Sequence, residues 1–308
     1  MRRRALLLAL PGTACAQGSG GPLATPFAVP VRPGVPRALG GLEINTAALG
    51  FGGLSGLHLD DALALTAISD TGKWFRAALQ MRGETPIGLG PATTGLLQDG
   101  SGEALRRGRT ADAESLARLP DGRWLVGFER WHRIRVFRRL DLPGAYFEAP
   151  PGLEQAAANG GLESLAVLAD GRLLAIAEFL DEAGDDTLRR AWLGGPGAWR
   201  PTSYRPMLGF GVTDAAGLPD GGALVLERRF AFLEGGFSAR LAHVTPAAMG
   251  QRPIIGQTLL QFPGDGPGEN WEGIAVLRRG SGLWLALVSD DNENRFQSSL
   301  LLLYAWAG

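Results

Sequence analysis

Cysteine is all but missing from this chain, and Cys15 is the only one. An internal disulfide and a thiolate metal cluster are therefore excluded. Histidine is nearly as scarce: His58, His132 and His243 are the three present, and no two stand at the spacing of a metal-binding pair. Lys73 is the sole lysine, so arginine carries the positive charge. The formal net charge is −1, which argues against nucleic-acid binding through bulk charge. No apolar run is long enough to span a bilayer. Helical periodicity is confined to two weak candidates, Gly152 to Ala158 and Pro246 to Gly250. Gly53-Leu54-Ser55-Gly56 lacks the spacing of a nucleophile elbow, and no glycine-rich phosphate loop leads into a helix.

The N-terminus reads as an export signal. Arginines follow Met1, Ala5 to Leu10 is apolar, and Ala14-Cys15-Ala16 resembles a signal-peptidase site. Removal of residues 1–16 would leave a mature chain without any thiol. A periplasmic or secreted protein is expected, with lipid anchoring through Cys15 as the alternative. Residues 17–40 form a Gly/Pro-rich lead-in that includes Pro22, Pro26, Pro30, Pro33 and Pro36. Residues 41–308 read as a single domain, expected as a monomer.

Glycine is abundant, with 46 residues, and a short acidic pattern recurs five times. The tight copies are Asp112 to Glu129 (DAESLARLPDGRWLVGFE), Gly161 to Glu178 (GLESLAVLADGRLLAIAE) and Val212 to Glu227 (VTDAAGLPDGGALVLE). Looser copies run from Leu54 to Asp70 and from Trp271 to Asp290. Asp-Gly between apolar runs signals a two-residue hairpin, here at Asp121-Gly122, Asp170-Gly171 and Asp220-Gly221. Such hairpins would set Glu114 opposite Glu129, Glu163 opposite Glu178 and Asp214 opposite Glu227. The anchors Ser55, Glu114, Glu163, Asp214 and Glu272 recur roughly every fifty residues, the period of a β-propeller blade. An all-β propeller of five blades is expected. A sixth blade lacking the motif could lie where the spacing is widest, and a pair of β-sandwiches is the other architecture considered. A strand from Leu42 to Leu49 is expected to complete the last blade and close the ring.

Innermost strands line a propeller's channel, so the open ends of the hairpins would gather carboxylates at one mouth. Two unit charges about 6 Å apart at an effective dielectric of about 20 repel by roughly 3 kcal/mol. A cation relieves that repulsion. Asp70, Glu114, Glu129, Glu163, Glu178, Asp214, Glu227, Glu272 and Asp290 are the candidate ligands, and an all-oxygen set suits Ca²⁺. Cationic residues follow several of these acids. Lys73, Arg130, Arg228 and Arg295 are candidates to hold an anionic ester, and His132 is the histidine placed for acid–base work. The competing reading is that the acids accept amide hydrogen bonds or pair with arginines and simply hold blades together. Trp131 and Trp271 are the aromatic residues considered for lining the mouth.

Several motifs, in order, resemble the phytase-like β-propeller family described as "esterase-like activity of phytase". They are Gly53–Leu57 (GLSGL) with Ile68–Gly72 (ISDTG), and Asp112–Leu116 (DAESL) with Asp121–Trp124 (DGRW) and Glu129. Asn159–Leu165 (NGGLESL) and Asn270–Ile274 (NWEGI) with Ser289–Asn292 (SDDN) complete the set. The resemblance spans Leu42 to Trp306. It implies a propeller related to calcium-dependent enzymes that hydrolyse phosphate esters. A lysine-rich substrate face is missing, which argues against inositol hexakisphosphate as the substrate. The expected function is metal-dependent hydrolysis of a phosphate or other ester, with Glu114, Glu163 and Glu272 at its centre. A propeller that binds a ligand or protein without turnover, its divalent metal structural, is the alternative. A sugar-acting propeller of the lactonase type is a weaker third.

Overall fold

The computed structural model describes residues 21–307 apart from 35, 293, 295 and 296. The expected signal peptide, with Cys15, and the candidate ligand-binding Arg295 lie outside the described residues. Among those described, no helix is long and apolar enough to cross a membrane.

Five antiparallel-dominated sheets follow one another along the chain. The first blade is built from Leu54–Leu59, Ala64–Ser69 and Lys73–Arg82, with Thr85–Leu89 and Thr93–Leu96 both paired to the third strand. The second runs Ala113–Arg118, Trp124–Phe128, Arg133–Phe137, Ala145–Phe147. Leu162–Val167, Leu173–Glu182, Asp185–Gly194 and Arg200–Arg205 make the third, joined in parallel by Ile254–Ile255. The fourth comprises Gly211–Gly217, Ala223–Ala231, Gly236–Val244 and Gln257–Phe262. In the fifth, Asn270–Arg279, Gly282–Asp290 and Leu300–Trp306 are extended by Arg37–Ile44 and then Ala24–Phe27. The strand that pairs with Leu300–Trp306 thus ends at Ile44, earlier than expected, and Thr46–Leu49 form a helical turn capped by Asn45. The five first strands neighbour one another in a ring, with Leu54–Leu59 between Asn270–Arg279 and Ala113–Arg118.

Burial explains why the strands read as unbroken apolar runs. Each sheet is covered on both faces by its neighbours, so Trp124–Phe128 is buried at every position. The core divides into five clusters, one at each junction between blades. Phe75 and Leu301 meet between the fifth and first blades, and Trp74 and Phe137 between the first and second. Ile134 and Trp192, then Ile176 and Val225, then Leu241 and Trp271 fill the remaining three.

The hairpins differ from expectation by one residue. Leu119 N–H donates to Arg123 O and Gly122 N–H to Leu119 O, which makes a three-residue Pro120-Asp121-Gly122 turn. The same pattern holds at Leu168–Arg172 and Leu218–Gly222. Gly122, Gly171 and Gly221 take the left-handed φ of +87, +84 and +95° that this turn requires. At the open end a β-bulge shifts the register again, so Ala113 faces Phe128 and Glu114 is the unpaired extra residue. Glu163 and Glu272 occupy the same bulge in their blades, and Thr213 holds it in the fourth. Asp214 is therefore one residue past the position it was matched to.

A Cβ on Gly171 would meet nothing within 4 Å, so only backbone strain opposes a side chain there. Gly171→Ala is expected to lower stability by roughly 1 kcal/mol. Urea unfolding would show this as a lower midpoint at unchanged slope, and an unmoved midpoint would contradict the turn.

Candidate metal centre at the channel mouth

The bulges aim Glu114, Glu163 and Glu272 at one end of the central channel. Below them the channel holds a space of about 150 Å³ lined by Leu57, Leu116, Leu165 and Ile274 together with His58 and Arg118. Acids from the ends of the second strands fold over the same mouth. Small residues make room for them: a Cβ on Gly53 would fall 2.1 Å from Asp70 Oδ1, and one on Gly211 3.0 Å from Glu178 Cγ.

Two sets of carboxylates converge. Asp112, Glu114 and Glu129 form one, and Glu129, Glu163 and Glu178 the other; within each, one oxygen per residue lies within 4.8 Å of the rest. Glu129 belongs to both, its Oε1 held by the N–H groups of Gly160 and Gly161. Burial pushes the Glu129 carboxyl up to about 7, and the two amides pull against that shift. Glu114 is raised far above its ordinary range, first by burial and then by Asp112, Glu272, Glu129 and Asp70, all of them acids. Glu163 is raised in the same way, by burial and then by Glu178, Glu272, Glu114 and Glu129. Glu178 is raised by burial despite Arg228 and a hydrogen bond from Glu163, a bond that requires Glu163 to keep its proton.

Other candidates are already engaged. Arg228 spans the mouth, 3.0 Å from Glu178 Oε1 and 3.0 Å from Glu272 Oε1, and also bonds Asn270. Burial alone would lower its pKa, but Glu272, Glu163 and Glu178 reverse the sign. Glu272 rises to about 8 through burial, with Arg228 opposing, and Asp290 to about 7 through burial, with the Asn292 amide opposing. Arg130 pairs with Asp112 at 2.6 Å. Asp70 lies by Gly53 on the first-blade side and accepts from Ser69 Oγ at 3.2 Å. Lys73 reaches Gly50 O at 3.3 Å and lies over the Phe51 ring. His132 packs against Gly161 with Nε2 3.2 Å from Ala156 O.

Two expected ligands serve elsewhere. Asp214 accepts from Ala215 N and, across the blade junction, from Ile274 N, both at 2.8 Å. Glu227 accepts from Tyr204 Oη at 2.5 Å, from Met207 N at 2.9 Å and from Arg240 at 3.3 Å. For these two the hydrogen-bonding alternative describes what the structure shows. Trp271 is fully buried against Phe262, whereas Trp131 is 53% exposed. Ser55 and Thr213 fill bulge positions without an acid and instead donate to Ala113 O and Trp271 O of the next blade. The sequence reading left Asp112 out of the ring, because its counterparts Gly161, Gly211 and Asn270 are not acidic.

A family model for phytase-like proteins, described as esterase-like activity of phytase, matches residues 49–293. The chain belongs to the phytase-like family. No curated protein matches it significantly. Among solved structures it is similar to a gluconolactonase from Xanthomonas campestris, with 10% identity, a TM-score of 0.49 and coverage of 94% of this chain and 99% of that one. It is also similar to the calcium-binding protein regucalcin from Agrobacterium tumefaciens, with 11% identity, a TM-score of 0.44 and coverage of 83% and 91%. No functional weight rests on either likeness. In this phytase-like propeller the buried carboxylates can hold a metal ion: the donors are all oxygen, the spacing within each set is that of one coordination shell, and the strongest charged neighbours of Glu114 and Glu163 are acids.

Two outcomes follow, the first for the metal-free protein. Glu129, Asp290 and Glu272 titrate near 7, 7 and 8 when folded, against ordinary values of 4.5, 3.8 and 4.5. The folded chain then binds more protons than the unfolded one across that window, so stability falls as pH rises through it. Melting in chelator should occur at a higher temperature near pH 5.5 than near pH 8, and the opposite order would contradict the buried ring. Asp214→Ala strands two buried amides and should cost roughly 2–4 kcal/mol while leaving bound metal unchanged. Urea unfolding with metal analysis of the variant checks both parts.

Proposed function

We propose that this phytase-like propeller is an exported, metal-dependent hydrolase of a phosphate or other ester. Its site is the acidic mouth, and Ca²⁺ is the ion that a shell of hard oxygen donors favours. One observation carries the reading: the strongest charged neighbours of the buried Glu114 and Glu163 are acids, four for each, and Arg228 answers this only from the Glu163 side, a setting that a cation stabilises. Glu129, which belongs to both sets, would hold the ion together with Asp112 and Glu114 or with Glu163 and Glu178. When bound, the ion polarises an ester oxygen and lowers the pKa of a coordinated water.

The chain's own groups prepare that chemistry. Gly160 and Gly161 fix Glu129 Oε1. Arg228 restrains Glu178 and Glu272 and brings positive charge to the mouth, where an anionic ester would approach. The proton shared by Glu163 and Glu178 would have to leave for both to act as ligands, so binding there would be coupled to proton release.

The non-catalytic reading gains from one observation. Arg130 and Arg228, which were expected to contact substrate, are committed to ring acids. Turnover separates the two readings. Purified protein with Ca²⁺ should hydrolyse p-nitrophenyl phosphate or a p-nitrophenyl carboxylic ester, and Glu163→Gln should lose bound metal and on the order of a hundredfold in rate together. Activity that survives loss of the metal would sink the mechanism, and metal binding without turnover on either ester class would favour the binding propeller.

A further inference from the structure

A second cavity, lined mainly by cations, runs between the first and second blades from the strand ends outside the mouth toward the far face. Arg118 lies four residues along its strand from Glu114, roughly 13 Å toward the far face. There, a cleft of about 610 Å³ opens at the junction of the first and second blades. That volume falls within the range of small-molecule sites. Arg76, Arg118, Arg138 and Arg139 line it, against a single lining acid, Asp141. Two of the four are balanced, Arg76 by Asp60 at 2.7 Å and Arg139 by Asp141. Arg118 is not: burial and the nearby Arg76 disfavour its charge, and Asp60 and Asp121 offset this only in part.

Sheet register assembles the cleft's first wall. Arg76 is flanked across the sheet by Thr66 and Thr93, while Trp74, two residues earlier and on the same face, is flanked by Ile68 and Gly95. Gly95 is required there, since a Cβ would fall 2.7 Å from the Trp74 indole. Trp74 is 8% exposed, and its Nε1 finds no acceptor among the described residues. The second wall is Trp124 with the Arg118 guanidinium stacked 4.1 Å over its ring. An unanswered buried N–H, uncompensated guanidinium charge and two indole rings thus line one cavity.

We propose that this cleft binds a small organic anion carrying a planar ring, at a site separate from the acidic mouth. The anionic group answers Arg118 and Arg138, the ring lies against the indoles, and the Trp74 N–H and the threonine hydroxyls set its orientation. The proposal does not rest on hydrolysis at the mouth.

The test is titration with phenylphosphonate, which has no ester bond to cleave, followed through the tryptophan indole N–H resonances. The Trp74 signal is assigned by its loss in Trp74→Phe. It is expected to shift saturably, and inorganic phosphate should bind at least about tenfold more weakly because it lacks the ring. Arg118→Gln and the exposed Arg138→Gln should each weaken binding about tenfold or more with melting temperature nearly unchanged. Glu163→Gln and chelation should leave it intact. Three results would overturn the proposal: no saturable shift, full binding in both arginine variants, or binding lost in Glu163→Gln, which would move the anion to the mouth. Equal affinity for inorganic phosphate would reject the ring-bearing ligand class.

Discussion

Carboxylates buried against carboxylates are the constraint around which this propeller is organised. Each blade contributes a hairpin whose open end reaches the same mouth, so a pattern harmless in one blade becomes a charge problem when repeated in a ring. Bulges at Glu114, Glu163 and Glu272 turn each acid out of direct cross-strand opposition and into the channel. Opposition within a hairpin is exchanged for convergence between hairpins. The structure then answers part of the charge itself, through Arg228, Arg130 and the amides on Glu129. Glu114 and Glu163 still have acids as their strongest charged neighbours, and such a cluster can hold a metal ion.

Blades without an acid at the bulge show what the position does when chemistry is not required. Ser55 and Thr213 use their hydroxyls to tie one inner strand to the next. Asp214 does the same through a carboxylate that points away from the mouth. At the bulge position the first and fourth blades therefore place a hydroxyl that ties them to the next blade, and the second, third and fifth place an acid. The two functions of an inner strand, joining blades and lining the site, are divided among copies of one repeat.

The architecture was legible because its signals are local and repeated. Apolar runs broken by Asp-Gly at a fifty-residue period lead to five sheets. Register was not legible at that resolution. Asp-Gly suits a two-residue turn and equally the last two positions of a three-residue one, and nothing in Pro120-Asp121-Gly122 announces which. A bulge leaves no local mark either. These two shifts are why Asp214 and Glu227 were grouped with the ring, although the fold assigns them to Ile274 and to Tyr204 and Arg240. Asp112 was missed for the complementary reason: it belongs to one blade only, and reading by repeats discards what does not repeat.

Direct titration of chelator-stripped protein with Ca²⁺, by calorimetry with proton release measured in buffers of different ionisation enthalpy, tests the central claim. The account predicts saturable binding that releases protons and raises the melting temperature. Absence of heat, proton release and thermal shift would contradict it, and the carboxylates would then be read as a protonated cluster that serves only to join blades.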